Sequence, residues 1–140
     1  MMDYYELDPI GIIRSPYKRT EDIPRQGHHR PEMVATAVLE PKWARAMMGL
    51  ERHERLLFLF LFHRSEEIHV TENRPWFDGE RGVFATRSPH RPNHIGVTEV
   101  EVVSIQGMDI TFRGPDMLDG TPLVDIKPLV RRDRPVECLN

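Results

Sequence analysis

The sequence predicts an all-β domain, a barrel or a sandwich of about seven short strands with one short helix. Three observations predict it. Short apolar runs are cut repeatedly by 12 prolines and 9 glycines spread over 140 residues, the punctuation of many strands joined by turns. Two arms alternate with period two about Gln106-Gly107: Val100 and Val102 against Glu99 and Glu101, then Met108, Ile110 and Phe112 against Asp109, Thr111 and Arg113, which is the pattern of a hairpin with one buried face. One segment alone, Pro41–Met48, has proline at its first turn and a glycine, Gly49, at its end, the start and stop signals of a helix.

The elements follow in order. Ile10-Gly11-Ile12-Ile13 reads as a first strand, ended at Ser15-Pro16 because the residue before proline leaves the helical region. Thr20–Glu32 is polar and reads as a loop; Val34–Leu39 reads as a second strand. Leu56–Phe62 is apolar without alternation. It reads as a strand buried on both faces, or as one wrapped inside a barrel and against a partner. Gly82–Thr86 is a further short strand, and Asp119-Gly120-Thr121-Pro122 is a turn before a last strand, Leu123–Ile126. No linker or internal repeat divides the chain, so residues 1–140 are read as one domain.

Composition excludes several classes. The formal net charge is −3, so nucleic-acid contact must come from a local basic patch, and DNA is not an expected partner. The single cysteine, Cys138, permits neither an internal disulfide nor a cysteine zinc site and fits a reducing cytoplasm. Residues 1–7 are not a signal peptide, and Leu56–Phe62 is too short to span a bilayer, so no membrane association is expected. Dinucleotide glycine fingerprints, phosphate loops, nucleophile elbows and HExxH are all missing, which disfavours a Rossmann enzyme.

Four polar clusters are candidates for chemistry. Pro24–Arg30 carries cations and an amide; His63-Arg64 follows a buried strand, where barrels place their rims. Ala85–Gly96 concentrates Arg87, His90, Arg91, Asn93 and His94 between two strands, and Pro89 and Pro92 stiffen it. Arginine forks suit carboxylate or phosphate. In Gly114–Pro122, glycines allow close backbone approach, and Asp116 or Asp119 could accept from a ribose or an amine. Asp125 and Lys127 share a strand face, as an exposed ion pair or as a polar pair at a site. His90 and His94 have the i, i+4 spacing of helical metal ligands, but Pro92 rules against a helix and no cysteine or close carboxylate completes the set. No metal is expected.

The strings IGIIRSPYKR (10–19), IPRQG (23–27), GVFATRSPHRPNHIG (82–96) and LDGTPLVDIKP (118–128) together resemble the signature blocks of the TrmO family, also called TsaA-like. These are S-adenosylmethionine-dependent tRNA adenosine N6-methyltransferases. The resemblance covers nearly the whole chain. It implies a small closed β-barrel that binds S-adenosylmethionine outside the Rossmann class, works as a homodimer and methylates N6 of threonylcarbamoyl-adenosine next to the anticodon in tRNA. Carried over by motif, cofactor contacts are expected from Pro24, Arg25, Gln26, His63, Arg64, Arg87, Asp116, Met117 and Leu118. Substrate contacts are expected from Arg30, His90 and Arg91, and Asn93, Asp125 and Lys127 are the residues expected at the chemistry, Asp125 as proton acceptor. Longer bacterial members carry an additional C-terminal domain, whereas this sequence stops soon after Pro128, so tRNA docking is the family property least expected to carry over. Two rival readings keep the same residues: a non-catalytic barrel that binds S-adenosylmethionine or RNA, and a metal-dependent hydrolase using His28, His29, His90 and His94.

Overall fold

Burial along Arg55–Leu61 alternates strictly: Leu56, Phe58 and Phe60 are buried, while Leu57, Leu59 and Leu61 point outward and are half-covered. The continuous apolar run is therefore the wall of a barrel and not a strand enclosed on both sides. Its leucines are apolar on the outer face without being core. The computed structural model describes residues 3–24 and 32–129 and assigns eight strands: β1 (Gly11–Arg14), β2 (Val34–Leu39), β3 (Arg55–Leu61), β4 (Thr71–Glu72), β5 (Arg81–Gly82), β6 (Ile95–Gln106), β7 (Asp109–Arg113) and β8 (Thr121–Pro128). Six of them close in the order β1-β2-β7-β6-β3-β8, every neighbour antiparallel, and β4-β5 form a separate ribbon. Of the two architectures that the sequence leaves open, the chain adopts the barrel. No helix among the described residues is long and apolar enough to cross a membrane.

Large and small side chains interlock inside the ring. Phe58 and Phe112 meet edge to face with centroids 5.0 Å apart, and Ala35 and Ala37, paired with Phe112 and Ile110, leave room for them. Gly96 sits against Phe60 and Phe62, where an added Cβ would fall 2.6 Å and 2.8 Å from ring carbons. Bulges between Leu59 and Phe60 and between Val102 and Ser104 bend the long strands around the ring. Met47 closes one end of the core and Met117 the other.

Several local expectations change. Pro41–Met47 is helical but of the tighter 3-10 type, followed by a second 3-10 turn at Leu50–Arg52. Seven residues that must return at once to β3 have little use for a longer α-helix. The strand expected over Gly82–Thr86 is limited to Arg81–Gly82; Val83–Ala85 is a 3-10 turn, because Val83 turns its side chain into the core while its neighbour Phe84 stays exposed. The hairpin turn is Gly107-Met108, and β6 runs 12 residues back to Ile95.

Antiparallel closure sorts the connections. The ends of β1, β3 and β7 and the starts of β2, β6 and β8 share one rim, so the described segments 15–24, 62–94 and 114–120 all emerge there. Asp119 ties two of them: its carboxylate accepts from the Ser15 backbone N–H at 2.9 Å and from Lys18 Nζ at 2.9 Å. Its own N–H donates to the Tyr17 carbonyl. The Ser15 bond first, then Lys18, hold its carboxyl below the ordinary range.

Two predictions follow from this packing. Phe58→Ala, which empties a fully buried site, should cost about 3–5 kcal/mol in urea unfolding. Asp119→Ala should cost about 1–3 kcal/mol by stranding the buried Ser15 N–H, while Asp119→Asn keeps an acceptor and should cost less. Because folding lowers the Asp119 pKa, its contribution is present above the ordinary carboxyl value of 3.8 and lost as pH falls through the lower folded value. The acid limb of the stability profile should shrink in Asp119→Asn.

Candidate functional site

The stiff segment between β5 and β6 is held by its own side chains. Thr86 Oγ1 donates to the Val83 carbonyl at 2.8 Å and accepts from the Ser88 N–H. The Arg91 guanidinium donates to the Thr86 carbonyl at 2.8 Å and the Ser88 carbonyl at 3.4 Å. His94 Nδ1 donates to the Pro89 carbonyl at 2.9 Å. Arg91, ahead of Pro92, is extended at φ −127°, ψ 157° as proline demands. Asn93 and His94 then take positive φ values of 66° and 51°. Two successive non-glycine residues in the left-handed region are costly and persist only where the surroundings enforce them. Their effect is to turn the chain sharply into β6.

Arg87 is exposed and reaches forward to donate to the Val97 carbonyl at 2.9 Å. Val97 lies in the part of β6 that pairs with β3 alone, since pairing with β7 begins at Glu101. The next residue, Thr98, donates through Oγ1 to Asp116 Oδ2 at 3.3 Å. A guanidinium and a half-buried carboxylate are thus anchored to successive residues of one strand. In the loop after β7, Gly114 takes φ 66° and donates its N–H to the Met33 carbonyl. Met117, 2 % exposed, is part of the core. The Leu118 carbonyl accepts from Thr121 Oγ1 at 2.6 Å.

A buried carboxylate underlies the segment. Glu72, at the end of β4 and 6 % exposed, accepts from Ser88 Oγ at 2.6 Å and from His69 Nδ1 at 3.0 Å, and is ion-paired with Arg74 Nε at 3.4 Å. The Ser88 bond is the largest influence keeping its pKa low. Bonds to Glu72 and then to Glu67 raise that of His69. His63, by contrast, is lowered by partial desolvation and then by neighbouring Arg64, which favours a neutral imidazole.

Of the residues expected from the sequence, Pro24, His63, Arg64, Arg87, His90, Arg91, Asn93, Asp116, Met117 and Leu118 all belong to the segments of this one rim. Arg25, Gln26 and Arg30, with His28 and His29, lie outside the described residues. Asp125 and Lys127 are not brought to the rim. They point outward from β8 beside Leu59 and Leu57 and pair with each other at 2.9 Å. Asp125 also borders an apolar depression of about 240 Å³ beside Ile10, Trp43, Leu50 and Ile126, at the far end of the barrel. Sequence reasoning missed Glu72, His69 and Thr98. Nothing local marks Glu72 as buried, because its main partner is 16 residues away and the ribbon must form before they meet.

The sequence matches the family described as tRNA-methyltransferase O N-terminal domain over residues 12–133. It is 44 % identical over 120 residues to the probable S-adenosyl-L-methionine-binding protein VirR of Rhizobium radiobacter, covering 85 % of this chain and 67 % of that protein. An S-adenosyl-L-methionine-binding protein of Archaeoglobus fulgidus is 33 % identical over 134 residues, 96 % of this chain and 94 % of its own length. Mouse tRNA (adenine(37)-N6)-methyltransferase is 35 % identical over 130 residues, covering 88 % of this chain but 30 % of the mouse protein. The crystal structure of TrmO from P. aeruginosa superimposes with a TM-score of 0.78 at 36 % identity, covering 97 % of this chain and 59 % of that one. The chain spans 66 % of a probable S-adenosyl-L-methionine-binding protein of Pyrococcus abyssi, so it corresponds to about two thirds or less of several relatives. In sequence and in fold, the chain belongs to the family of tRNA-methyltransferase O N-terminal domains.

Proposed function

We propose that this rim binds S-adenosylmethionine and that the protein transfers its methyl group to tRNA, at N6 of threonylcarbamoyl-adenosine next to the anticodon. The observation that carries the reading is that Arg87 and Asp116 hydrogen-bond to Val97 and Thr98, successive residues of β6. An amino-acid moiety bears a carboxylate and an ammonium side by side, and a guanidinium next to a carboxylate complements both. Names of relatives that bind S-adenosyl-L-methionine or methylate tRNA adenine support the same assignment.

The bound donor would supply an electrophilic sulfonium methyl. Arg87 would hold the methionine carboxylate. Asp116 would take the ammonium or a ribose hydroxyl, and the Gly114–Leu118 backbone would lie against the nucleoside, since the Met117 side chain is committed to the core. Pro24 and the neutral His63 with Arg64 would border the same pocket. Arg91, His90 and Asn93 would position the acceptor, and Arg25, Gln26 and Arg30, outside the described residues, would contribute as the family motif implies. Transfer itself is an in-line displacement: the new N6–C bond forms as the S–C bond breaks, and N6 loses a proton. The protein's task is alignment of donor and acceptor.

Asp125 and Lys127 stand on the outer wall formed with Leu57, Leu59 and Leu61. We infer that a second copy of the chain pairs through this apolar wall. Any part of Asp125 or Lys127 in transfer depends on that dimer; within one protomer the N6 proton passes to water. A tRNA acceptor would place the work in the cytoplasm.

Titration of the purified chain with S-adenosylmethionine by calorimetry should give a saturable response, and Arg87→Ala should weaken it at least tenfold, or ~1.4 kcal/mol. An unchanged affinity would remove Arg87 from the site; no response from the wild-type chain would overturn the reading. Labelled methyl transfer to total tRNA, followed by nucleoside mass spectrometry, tests the acceptor. Binding without transfer would leave a non-catalytic module. Sedimentation at micromolar concentration should show a dimer, and a monomer there would exclude pairing through the leucine wall.

A further inference from the structure

Glu72 and His69 touch none of the groups assigned to the S-adenosylmethionine donor, yet they hold the residue next to Arg87. Ser88 Oγ donates to Glu72 at 2.6 Å and accepts from the His90 N–H at 3.2 Å. The His69 N–H donates to the His90 carbonyl at 2.8 Å. The His69 and His90 rings lie 4.7 Å apart, and His90 Nδ1 meets Ser65 Oγ at 2.9 Å. The turn Arg87–His90 is therefore gripped from below by the 65–72 segment at both backbone and side-chain level.

The His69 ring has one further property. Its Nδ1 lies 3.0 Å from Glu72 Oε1 and its Nε2 lies 3.1 Å from Glu67 Oε2. Carboxylates only accept, and a neutral imidazole has a single N–H. Both contacts can be hydrogen bonds only when both ring nitrogens carry protons. The titratable and charged groups around the ring are Glu67 on its own segment, Glu72 on β4, Arg74 behind Glu72, and the His90 ring on the opposing turn. Two carboxylates outweigh one guanidinium that is already paired with Glu72.

We propose that Glu72 and His69 are positioning residues for the Arg87 turn, and that the clamp is complete only while His69 is an imidazolium. Deprotonation costs one of the two carboxylate contacts. The Glu72–Ser88 bond then loses its lateral support, and Arg87 is released from its set position. This rests on the reading of the rim as the S-adenosylmethionine site. The sign follows from linkage: folding raises the His69 pKa, so the clamp is fully present below the ordinary histidine value of 6.5 and is lost as pH rises through the higher folded value.

The test is calorimetric titration of the full chain with S-adenosylmethionine on both sides of His69's titration, for wild type, His69→Gln, Glu72→Gln and Glu72→Ala. Wild-type affinity should fall about tenfold across that range, the scale of a misplaced binding group. His69→Gln should be weak throughout and show only the pH dependence that titration of the ligand's own amine imposes, which serves as the correction for wild type. Glu72→Ala should match it, and Glu72→Gln, which keeps an acceptor for Ser88, should recover part of the loss. A wild-type profile identical to that of His69→Gln, or wild-type affinity in folded Glu72→Ala, would overturn the proposal. Should Glu72→Ala not fold, Ser88→Ala takes its place with the same expectations. Amide exchange at Ser88 and His90 in the ligand-free chain separates the two readings. If protection there tracks His69 protonation while no S-adenosylmethionine binds, the clamp stands and the rim assignment falls. If the ligand binds but protection ignores His69, the clamp fails alone.

Discussion

β1 is a strand of four residues, yet it pairs along both edges: with β2 through Gly11–Arg14 and with β8 through Gly11–Ile13. That second ladder turns a sheet with two open edges into a ring, and the arrangement of the site depends on it. A closed antiparallel ring has no exposed edges to protect, and it forces strand ends of one polarity together. The three long connections then leave from one rim, bringing residues 15–24, 62–94 and 114–120 into one neighbourhood. Gly11 shows how tight the closure is: a Cβ there would run into the Val38 carbonyl on the neighbouring strand.

The rim is stiffened by hydrogen bonds that consume much of its own polarity. Arg91, an apparent anion ligand in the sequence, gives a guanidinium nitrogen to the Thr86 and Ser88 carbonyls. His94 is tied to Pro89, and Thr86 bridges Val83 and Ser88. Arg87 differs in standing exposed, anchored to the Val97 carbonyl. A binding loop that is set before its ligand arrives avoids the entropy of ordering. Within this segment, the polar residues divide between those that build the shape and those available to use it.

The family relation fixes the barrel more firmly than it fixes the substrate. The matched region is nearly all of the Archaeoglobus protein but under a third of the mouse one, so the matched sequence recurs within chains of very different extent. Function on a shared fold resides in the groups at the site. The segment between β3 and β6 carries the Glu67–His69–Glu72 arrangement, and a ribbon with Arg81 4.5 Å over the Phe77 ring.

Much of this was legible in the order of residues. Period-two alternation about Gly107 identified the β6–β7 hairpin, Val34–Leu39 matched β2 end to end, and proline with arginine marked 85–96 as a stiff, donor-rich loop. Leu56–Phe62 left two readings open, because an outer face that is itself apolar erases the alternation that would separate inside from outside. What only the tertiary structure decided concerns partners distant in the chain. It set Asp125 and Lys127 on the outer wall, apart from the rim, and it buried Glu72 against Ser88. Local propensity and pattern act over a few residues, whereas ring closure and the desolvation of a carboxylate depend on groups that meet only after the chain has folded.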